Sequence, residues 1–210
     1  MDEIRIENFL YPYVRFFNAV PDNQNADFYI GNALVASNIT FGTFSPYIKV
    51  TKGRQNFIVT KSGNKNDVLA TLTLNFDDGE VYTVAAVTDD GKVLAYGINE
   101  PTERNNLEYG HIRICQLSPD LGKADVVANQ YKILGDIDYL ELSKYICISP
   151  GRYDFNIKRS GEEKSVLNVS AQTMRPGIYN TLYIIGLADG TPNIRGVLSI
   201  DAASYNGYYL

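Results

Sequence analysis

The sequence predicts an all-β protein made of two tandem Ig-like or prealbumin-like antiparallel β-sandwiches, with about seven strands in each, related by internal duplication. Three observations support this fold class. Short β-rich segments alternate with turn signals about every 8–12 residues. No window of about 12 residues has apolar residues at i, i+3, i+4 and i+7, the spacing of an amphipathic helix. Finally, a stretch near the start of the chain recurs in its second half.

The repeated stretch reads Y-V-R-F-F-N-A-V-P-D-N-Q-N-A-D at residues 13–27 and H-I-R-I-C-Q-L-S-P-D-L-G-K-A-D at residues 111–125. The matched pairs include Arg15 with Arg113, Asp22 with Asp120, Asp27 with Asp125, and Thr83 with Thr181. The offset is 98 residues throughout this range, without a gap, and a single inserted residue follows it. Equal offsets at turn glycines and at apolar positions mean equal strand lengths, so one β unit was copied.

The first copy, taken in order, alternates strand-like segments with turns. The predicted strands cover residues 14–20, 28–30, 34–36, 46–50, 56–60, 68–76, 81–87 and 93–96. Apolar residues at 68, 70, 72, 74 and 76 have the period of two that is typical of a half-buried strand. Gly31-Asn32 and Asp89-Asp90-Gly91 are typical of hairpin turns.

The domain boundaries follow from the repeat. We expect an N-terminal arm at residues 1–12, a first β-sandwich at 13–97, a linker at 98–110, a second β-sandwich at 111–204 and an aromatic C-terminal tail at 205–210. The proposed linker, I-N-E-P-T-E-R-N-N-L-E-Y-G, is polar and contains a proline. The arm is too apolar for a simple flexible tail, so it is interpreted as an extra edge strand or a docking segment.

The composition excludes several classes of partner. The formal net charge is −5 and the pI is near 4.9, so we expect no nucleic-acid partner. No apolar run of about 18 residues predicts a membrane span. The first residues, M-D-E-I, lack a basic region followed by an apolar one, so no signal peptide is visible and we expect that none was removed.

The motif R-x-x-x-x-x-P-D-x-x-x-A-D opens each copy, and the first copy continues with F-G-T-F-S-P-Y at 41–47 and G-x-x-Y-T-V-A-A-V at 79–87. In these features the chain resembles the bacterial DUF4397 family, a domain of unknown function. The resemblance covers residues 13–204. It implies tandem β-sandwich modules of secreted or cell-envelope proteins, and it implies no chemistry. The second copy departs from the pattern at Tyr139-Leu140-Glu141, and Asn18 and Gln116 stand where the family commonly has histidine.

The repeated aspartates have two interpretations. Asp22, Asp27, Asp120 and Asp125 could bind a divalent cation through carboxylate oxygens. The structural interpretation, which we prefer, is that Asp22 caps the turn after Pro21 and that Asp27 pairs with Arg15. We therefore predict no metal-binding residues, and likewise no cofactor-binding residues.

The single histidine and the two cysteines give no catalytic set. His111 has Tyr13 as its counterpart, and its pairing with a cysteine would require a coincidence of the fold. Cys115 replaces Phe17 and is expected to be buried, whereas Cys147 replaces Lys49, so its side chain could reach water. Two buried free thiols are the default interpretation, with an intrachain disulfide or an intermolecular cross-link left open. We predict no catalytic residues and no enzyme.

These observations predict a non-enzymatic structural or interaction protein of a bacterial surface layer. Its location would be the cell or spore surface, including the spore coat or exosporium. Edge strands and terminal arms would mediate self-association or contacts with other surface proteins. The alternative is a carbohydrate- or peptidoglycan-binding module, because 16 tyrosines exceed what two small cores need and exposed tyrosines stack on sugars. The alternative predicts a row of tyrosines on one sheet face or in the loops.

Overall fold

The computed structural model describes residues 11–22 and 24–205. The expected arm and tail therefore lie almost entirely outside the described residues. Within them the chain forms sixteen strands and one short 3₁₀ helix, and it divides into two compact units between Glu103 and Arg104. No helix of the described residues is long and apolar enough to cross a membrane.

The first unit contains eight strands. They are β1 Tyr13–Asn18, β2 Ala26–Ile30, β3 Ala33–Ile39, β4 Ile48–Lys49, β5 Gly53–Lys61, β6 Val68–Phe76, β7 Val81–Asp89 and β8 Lys92–Glu100. They form two four-stranded sheets with the orders β4-β1-β7-β8 and β3-β2-β5-β6. Each of the eight segments predicted from the sequence falls on one of these strands.

The second unit repeats the arrangement. Its strands are β9 Gly110–Gln116, β10 Ala124–Ala128, β11 Tyr131–Ile137, β12 Ile146–Ile148, β13 Gly151–Arg159, β14 Ser165–Met174, β15 Tyr179–Ile185 and β16 Arg195–Ile200, followed by the 3₁₀ helix Ala202–Tyr205. The sheet orders are β12-β9-β15-β16 and β11-β10-β13-β14. The predicted all-β fold of two duplicated sandwiches is confirmed.

Two details differ from the prediction. Each copy has eight strands rather than about seven, which agrees with the eight segments identified in the first copy, and the short strands β4 and β12 pair with β1 and β9. The sheets are also not purely antiparallel, since β1 pairs with β7, and β9 with β15, in parallel. The first strand of each copy lies inside its sheet. The chain forms the opposite sheet and the short strand β4 or β12 before β7 or β15 returns alongside the first strand in the same direction.

The predicted start of the linker at residue 98 lies inside β8, which continues to Glu100. Ile98 and Glu100 are both buried, so they belong to the sandwich, and the strand ends at Pro101, which has no N–H to donate.

The two sheets of each unit enclose an apolar core. In the first unit its centre is aromatic: Phe16, Phe28, Phe57 and Phe76 are fully buried. The rings of Phe16 and Phe28 are 4.9 Å apart between centroids, and those of Phe57 and Phe76 are 5.9 Å apart. At the corresponding positions the second unit buries Ile114, Val126, Phe155 and Met174.

Candidate functional site

β1 is buried on both faces, and the face turned away from the core carries a charge. Arg15 alternates with the core residues Val14 and Phe16, and it is only 4% exposed. The segment that follows β3 lies over this outer face, where Phe44 forms a bridge with Phe17 and stacks on its ring. The guanidinium of Arg15 lies 4.5 Å from the centroid of the Phe44 ring. The arginine is therefore enclosed between the sheet and the covering segment.

The buried arginine is neutralised within the first unit. Its Nε donates to Thr83 Oγ1 at 2.8 Å, and its Nη2 lies 3.0 Å from Oε1 of Glu100. The hydroxyl of Thr83 donates to the same carboxylate. Tyr47 donates its hydroxyl to Glu100 Oε2 at 2.5 Å and places its ring 4.7 Å from the guanidinium.

The second unit repeats this cluster with a shorter acid. Arg113 Nε donates to Thr181 Oγ1 at 2.7 Å and lies 3.4 Å from Oδ2 of Asp201. The hydroxyls of Thr181 and Tyr145 each donate to Asp201 Oδ2 at 2.5 Å. Because the buried arginine faces a buried carboxylate inside each cluster, we assign both clusters to stability rather than to ligand binding.

The predicted pairing of Arg15 with Asp27 is wrong. Asp27 lies on β2, which belongs to the other sheet, whereas Arg15 faces away from that sheet. Asp27 instead accepts bonds from the N–H of Asn38 at 2.7 Å, the N–H of Gly63 at 2.9 Å and the hydroxyl of Ser62 at 3.0 Å. Burial disfavours its ionised form, but these three bonds together hold the pKa of Asp27 below its ordinary value.

Asp125 has the same role on β10. It accepts bonds from the N–H of Asp136 at 3.0 Å and from Ser160 at 2.8 Å, and Lys132 reaches it at 2.6 Å. The Lys132 ammonium is the main reason that the pKa of Asp125 lies below its ordinary value. Asn38 and Asp136 both have positive φ, 57° and 56°, so each aspartate fixes an irregular residue of the neighbouring edge strand.

The other two aspartates also bind backbone. Asp22 Oδ1 accepts the N–H of Gln24 at 2.8 Å, which confirms the predicted turn cap. Asp120 accepts the N–H groups of Ala188 at 2.7 Å and Asp189 at 3.0 Å. No group of three or more His, Cys, Asp or Glu residues within the described part of the chain could hold a metal ion.

The two cysteines have opposite environments. Cys115 is fully buried on β9, and burial raises the pKa of its thiol to about 12. Cys147 on β12 is exposed, so the default interpretation of two buried thiols is wrong for this residue. The reason is strand alternation, because its neighbours Ile146 and Ile148 take the inward positions.

The exposed thiol is opposite the histidine. Cys147 and His111 are direct partners across β12 and β9, and Sγ lies 3.7 Å from Nδ1 of the imidazole. His111 is 3% exposed, and its ring stacks on Tyr179 with centroids 3.9 Å apart and planes 3° apart. Its Nε2 lies 3.3 Å from the carbonyl oxygen of Asn106, whose side-chain Nδ2 lies 3.9 Å from Sγ.

Sequence reasoning missed this pair because it requires knowing which strands are neighbours. A signal does exist in the repeat: Tyr13 and Lys49 are the corresponding residues of the first copy, at the same separation, and they too are direct partners across two strands. The first unit therefore holds a tyrosine and a lysine where the second holds a histidine and a cysteine.

Few tyrosines are exposed. Among the described residues, the tyrosines with substantially exposed side chains are Tyr11, Tyr109 and Tyr131. Within the second unit, Tyr131 lies on β11, while Tyr109 precedes β9 of the other sheet. The row of tyrosines that sugar binding predicts is therefore not found on any sheet face of the described residues.

Comparison with known proteins gives a family and distant structures. The family model described as domain of unknown function (DUF4397) matches residues 12–123 and 110–204. No curated protein sequence matches significantly. One similar solved structure is a family 26 carbohydrate-binding module from Eubacterium rectale in complex with maltoheptaose, with 11% identity, TM-score 0.26, and coverage of 90% of this chain and 95% of that chain. Another is a Bacteroides fragilis protein proposed to act in cell adhesion, with 11% identity, TM-score 0.20, and coverage of 84% and 82%.

Proposed function

Because this chain belongs to the DUF4397 family, a domain of unknown function, we propose from its own surfaces that it is a non-enzymatic interaction protein of a bacterial surface layer. It associates with further copies of itself through an edge strand of the first sandwich. We place it at the bacterial cell or spore surface, including the spore coat or exosporium.

The observation that carries the proposal is the composition of β3. This edge strand reads A-L-V-A-S-N-I, without a charged residue or proline, and Leu34 is 52% exposed. β3 pairs with β2 on one side, and on the other side no strand of the described residues pairs with it. Edge strands of monomeric proteins usually carry lysine, proline or inward charges that prevent pairing with another chain.

The second copy has such protection at the same place. β11 reads Y-K-I-L-G-D-I, and its Lys132 occupies the position that Leu34 occupies in β3. At the other edge of the β3 sheet, Leu74 of β6 packs against β8 of the opposite sheet, since a Cβ added at Gly97 would lie 3.2 Å from the Leu74 side chain. Strand addition is therefore assigned to β3.

The test is the molar mass of the chain in solution, measured by size-exclusion chromatography with light scattering from micromolar to millimolar concentration. We expect the mass of the native chain to rise with concentration and Leu34→Lys to remain monomeric. The variant copies a residue that the second copy tolerates, and the new lysine can reach Asp27 as Lys132 reaches Asp125. Circular dichroism checks that it folds.

A matched control is Lys132→Leu, which removes the charge from β11 and should increase association. A native chain that stays monomeric at every concentration, with Lys132→Leu unchanged, would refute edge-strand assembly.

The alternative, a carbohydrate- or peptidoglycan-binding module, rests on Tyr131, which is 77% exposed. It predicts that Tyr131→Ala abolishes retention on a glycan or peptidoglycan column while leaving the molar mass unchanged. Because a lone aromatic side chain offers one stacking surface, we prefer strand association.

A further inference from the structure

We propose that Cys147 and His111 form a reactive thiol site that takes small-molecule disulfides and becomes S-thiolated by thiol–disulfide exchange. The site is independent of the edge strand β3, and it lies within the second unit. The thiol and the imidazole face each other across β12 and β9, with Sγ 3.7 Å from Nδ1. A nucleophile, a base and a group that orients the base are the elements of an activated thiol.

The tautomer of His111 follows from its contacts. Nε2 faces the carbonyl oxygen of Asn106 at 3.3 Å, and a carbonyl only accepts, so Nε2 carries the proton. Nδ1 then presents its lone pair to Cys147. Burial holds the pKa of His111 below its ordinary value, with the charge of Arg104 acting in the same direction, so the ring is neutral at pH 7 and free to take a proton.

The surroundings keep the imidazole in place and direct a hydrogen-bond donor at the sulfur. Tyr179 stacks on the ring, and Tyr145 in turn meets Tyr179 edge-on at 5.1 Å, so the ring cannot rotate freely. The side-chain amide of Asn106 points an N–H at Sγ from 3.9 Å. Reactive cysteines are found in partly exposed positions, often next to a histidine.

The reaction balances without an oxidant. His111 Nδ1 accepts the thiol proton, and the Cys147 thiolate attacks one sulfur of a disulfide R–S–S–R. A bond forms between Cys147 Sγ and that sulfur, the S–S bond of the reagent breaks, and R–S⁻ leaves and takes the proton back from the imidazolium.

The product persists because the chain lacks a thiol that could resolve it. Cys115 is fully buried and its thiol has a pKa raised to about 12, so it is protonated and inaccessible. It also lies four residues along β9 from the residue opposite Cys147, a distance of about 13 Å at about 3.3 Å per residue, which is beyond disulfide reach. Only an external thiol can release the adduct.

The test is the rate at which the folded chain cleaves an aromatic disulfide, 5,5′-dithiobis(2-nitrobenzoate), followed by thiolate absorbance. We expect one equivalent of thiolate per chain, and none from Cys147→Ser. The matched control is the double variant Lys49→Cys/Cys147→Lys, which moves the exposed thiol to the corresponding strand position opposite Tyr13. At pH 7 the native chain should react about 10–100-fold faster than this control. This factor is at or below the low end of general-base effects, because 3.7 Å is a long contact.

A second variant, His111→Tyr, places the residue of the first copy beside Cys147 and should lose the same factor. At a pH about 2 units above the ordinary thiol pKa of about 8.5, an exposed thiol is ionised without the help of a base, so the rates should converge. Equal rates at pH 7 would overturn the proposal, and so would a native advantage that persists at high pH, since it would reflect access alone. These rates do not depend on the molar mass of the chain in solution. A negative result would therefore refute the reactive thiol without refuting assembly through β3.

Discussion

The two copies share a backbone plan but fill it differently. Four phenylalanines meet at the centre of the first sandwich, whereas isoleucine, valine, phenylalanine and methionine take the same places in the second. Of these four positions, only Phe57 and Phe155 hold the same residue in both copies. The turn anchors are retained more strictly, since Asp27 and Asp125 both bind the irregular residue of the edge strand and a serine. The two copies therefore share their turn anchors rather than particular core side chains.

The two buried charge clusters also keep their plan while one of their residues changes. Arginine, threonine and tyrosine are kept, while Glu100 of β8 is replaced by Asp201, which follows β16. The shorter side chain reaches the arginine because it starts from a different backbone position. The buried arginine requires a carboxylate beside it, and in both copies that carboxylate comes from the end of the last strand.

The largest expected effect is the loss of one arginine. Arg15→Ala leaves Glu100 buried without its counter-ion and should destabilise the first unit by about 3–5 kcal/mol in denaturant unfolding. Arg113→Ala should do the same to the second unit. The control is Arg15→Met with Glu100→Leu, which removes both charges and should cost less than the single change. A loss below about 1 kcal/mol for Arg15→Ala would mean that the cluster is solvated, as surface ion pairs are.

Exchanging core residues between the copies should have an intermediate effect. Phe28→Val copies Val126 and leaves a cavity beside Phe16, so we expect a loss of about 2–3 kcal/mol, below the range of about 3–5 for phenylalanine to alanine. The reverse exchange, Val126→Phe, overfills the second core and should cost about 1–3 kcal/mol. Thermal unfolding of both variants measures this. If either exchange leaves the stability unchanged, the core concerned tolerates that change in side-chain volume.

The smallest effect concerns the turn anchor and depends on pH. Asp27→Asn keeps the shape but removes the charge that strengthens three hydrogen bonds, so we expect a loss of about 1–2 kcal/mol at pH 7. Because the pKa of Asp27 is lowered in the folded state, its contribution is present above the unfolded pKa of about 3.9 and is lost as the pH falls through the folded value. Native chain and variant should therefore converge in stability below about pH 4. A difference that does not change with pH would show that Asp27 acts by shape alone.

The sequence was sufficient for the fold because its signals are local. Period-two apolar residues at 68–76 and the Asp-Gly turn at 90–91 depend only on neighbouring residues, and the structure has a strand and a hairpin there. The offset of 98 then transferred these assignments to the second copy. The parallel pairing of β1 with β7 could not be predicted in this way. Local apolar patterns and turns show where strands lie, but not which distant strands are neighbours in a sheet.

The side-chain partners were less predictable for the same reason. Asp27 was close to Arg15 in sequence, but the two residues belong to different sheets, and the real partner, Glu100, lay in a segment interpreted as linker. A usable signal was the single acid that follows an apolar strand in each copy, at G-I-N-E and S-I-D. The contact between Cys147 and His111 depends on the pairing of β12 with β9, which only the folded chain reveals.

The parallel pair has a consequence for synthesis. Residues 13–18 are flanked on one side by residues 81–86, so the opening strand stays without that neighbour until most of the copy has been made. At about 5–20 residues per second this interval lasts about 3–15 seconds, and during it the edge of β1 that later pairs with β7 has no partner strand. The sheet of each copy can be completed only after most of that copy has been synthesised, and such long-range pairing folds slowly. One such interval occurs for each of the two copies. Because β7 and β15 are synthesised late in their copies, we expect the nascent chain to bind chaperones during these intervals.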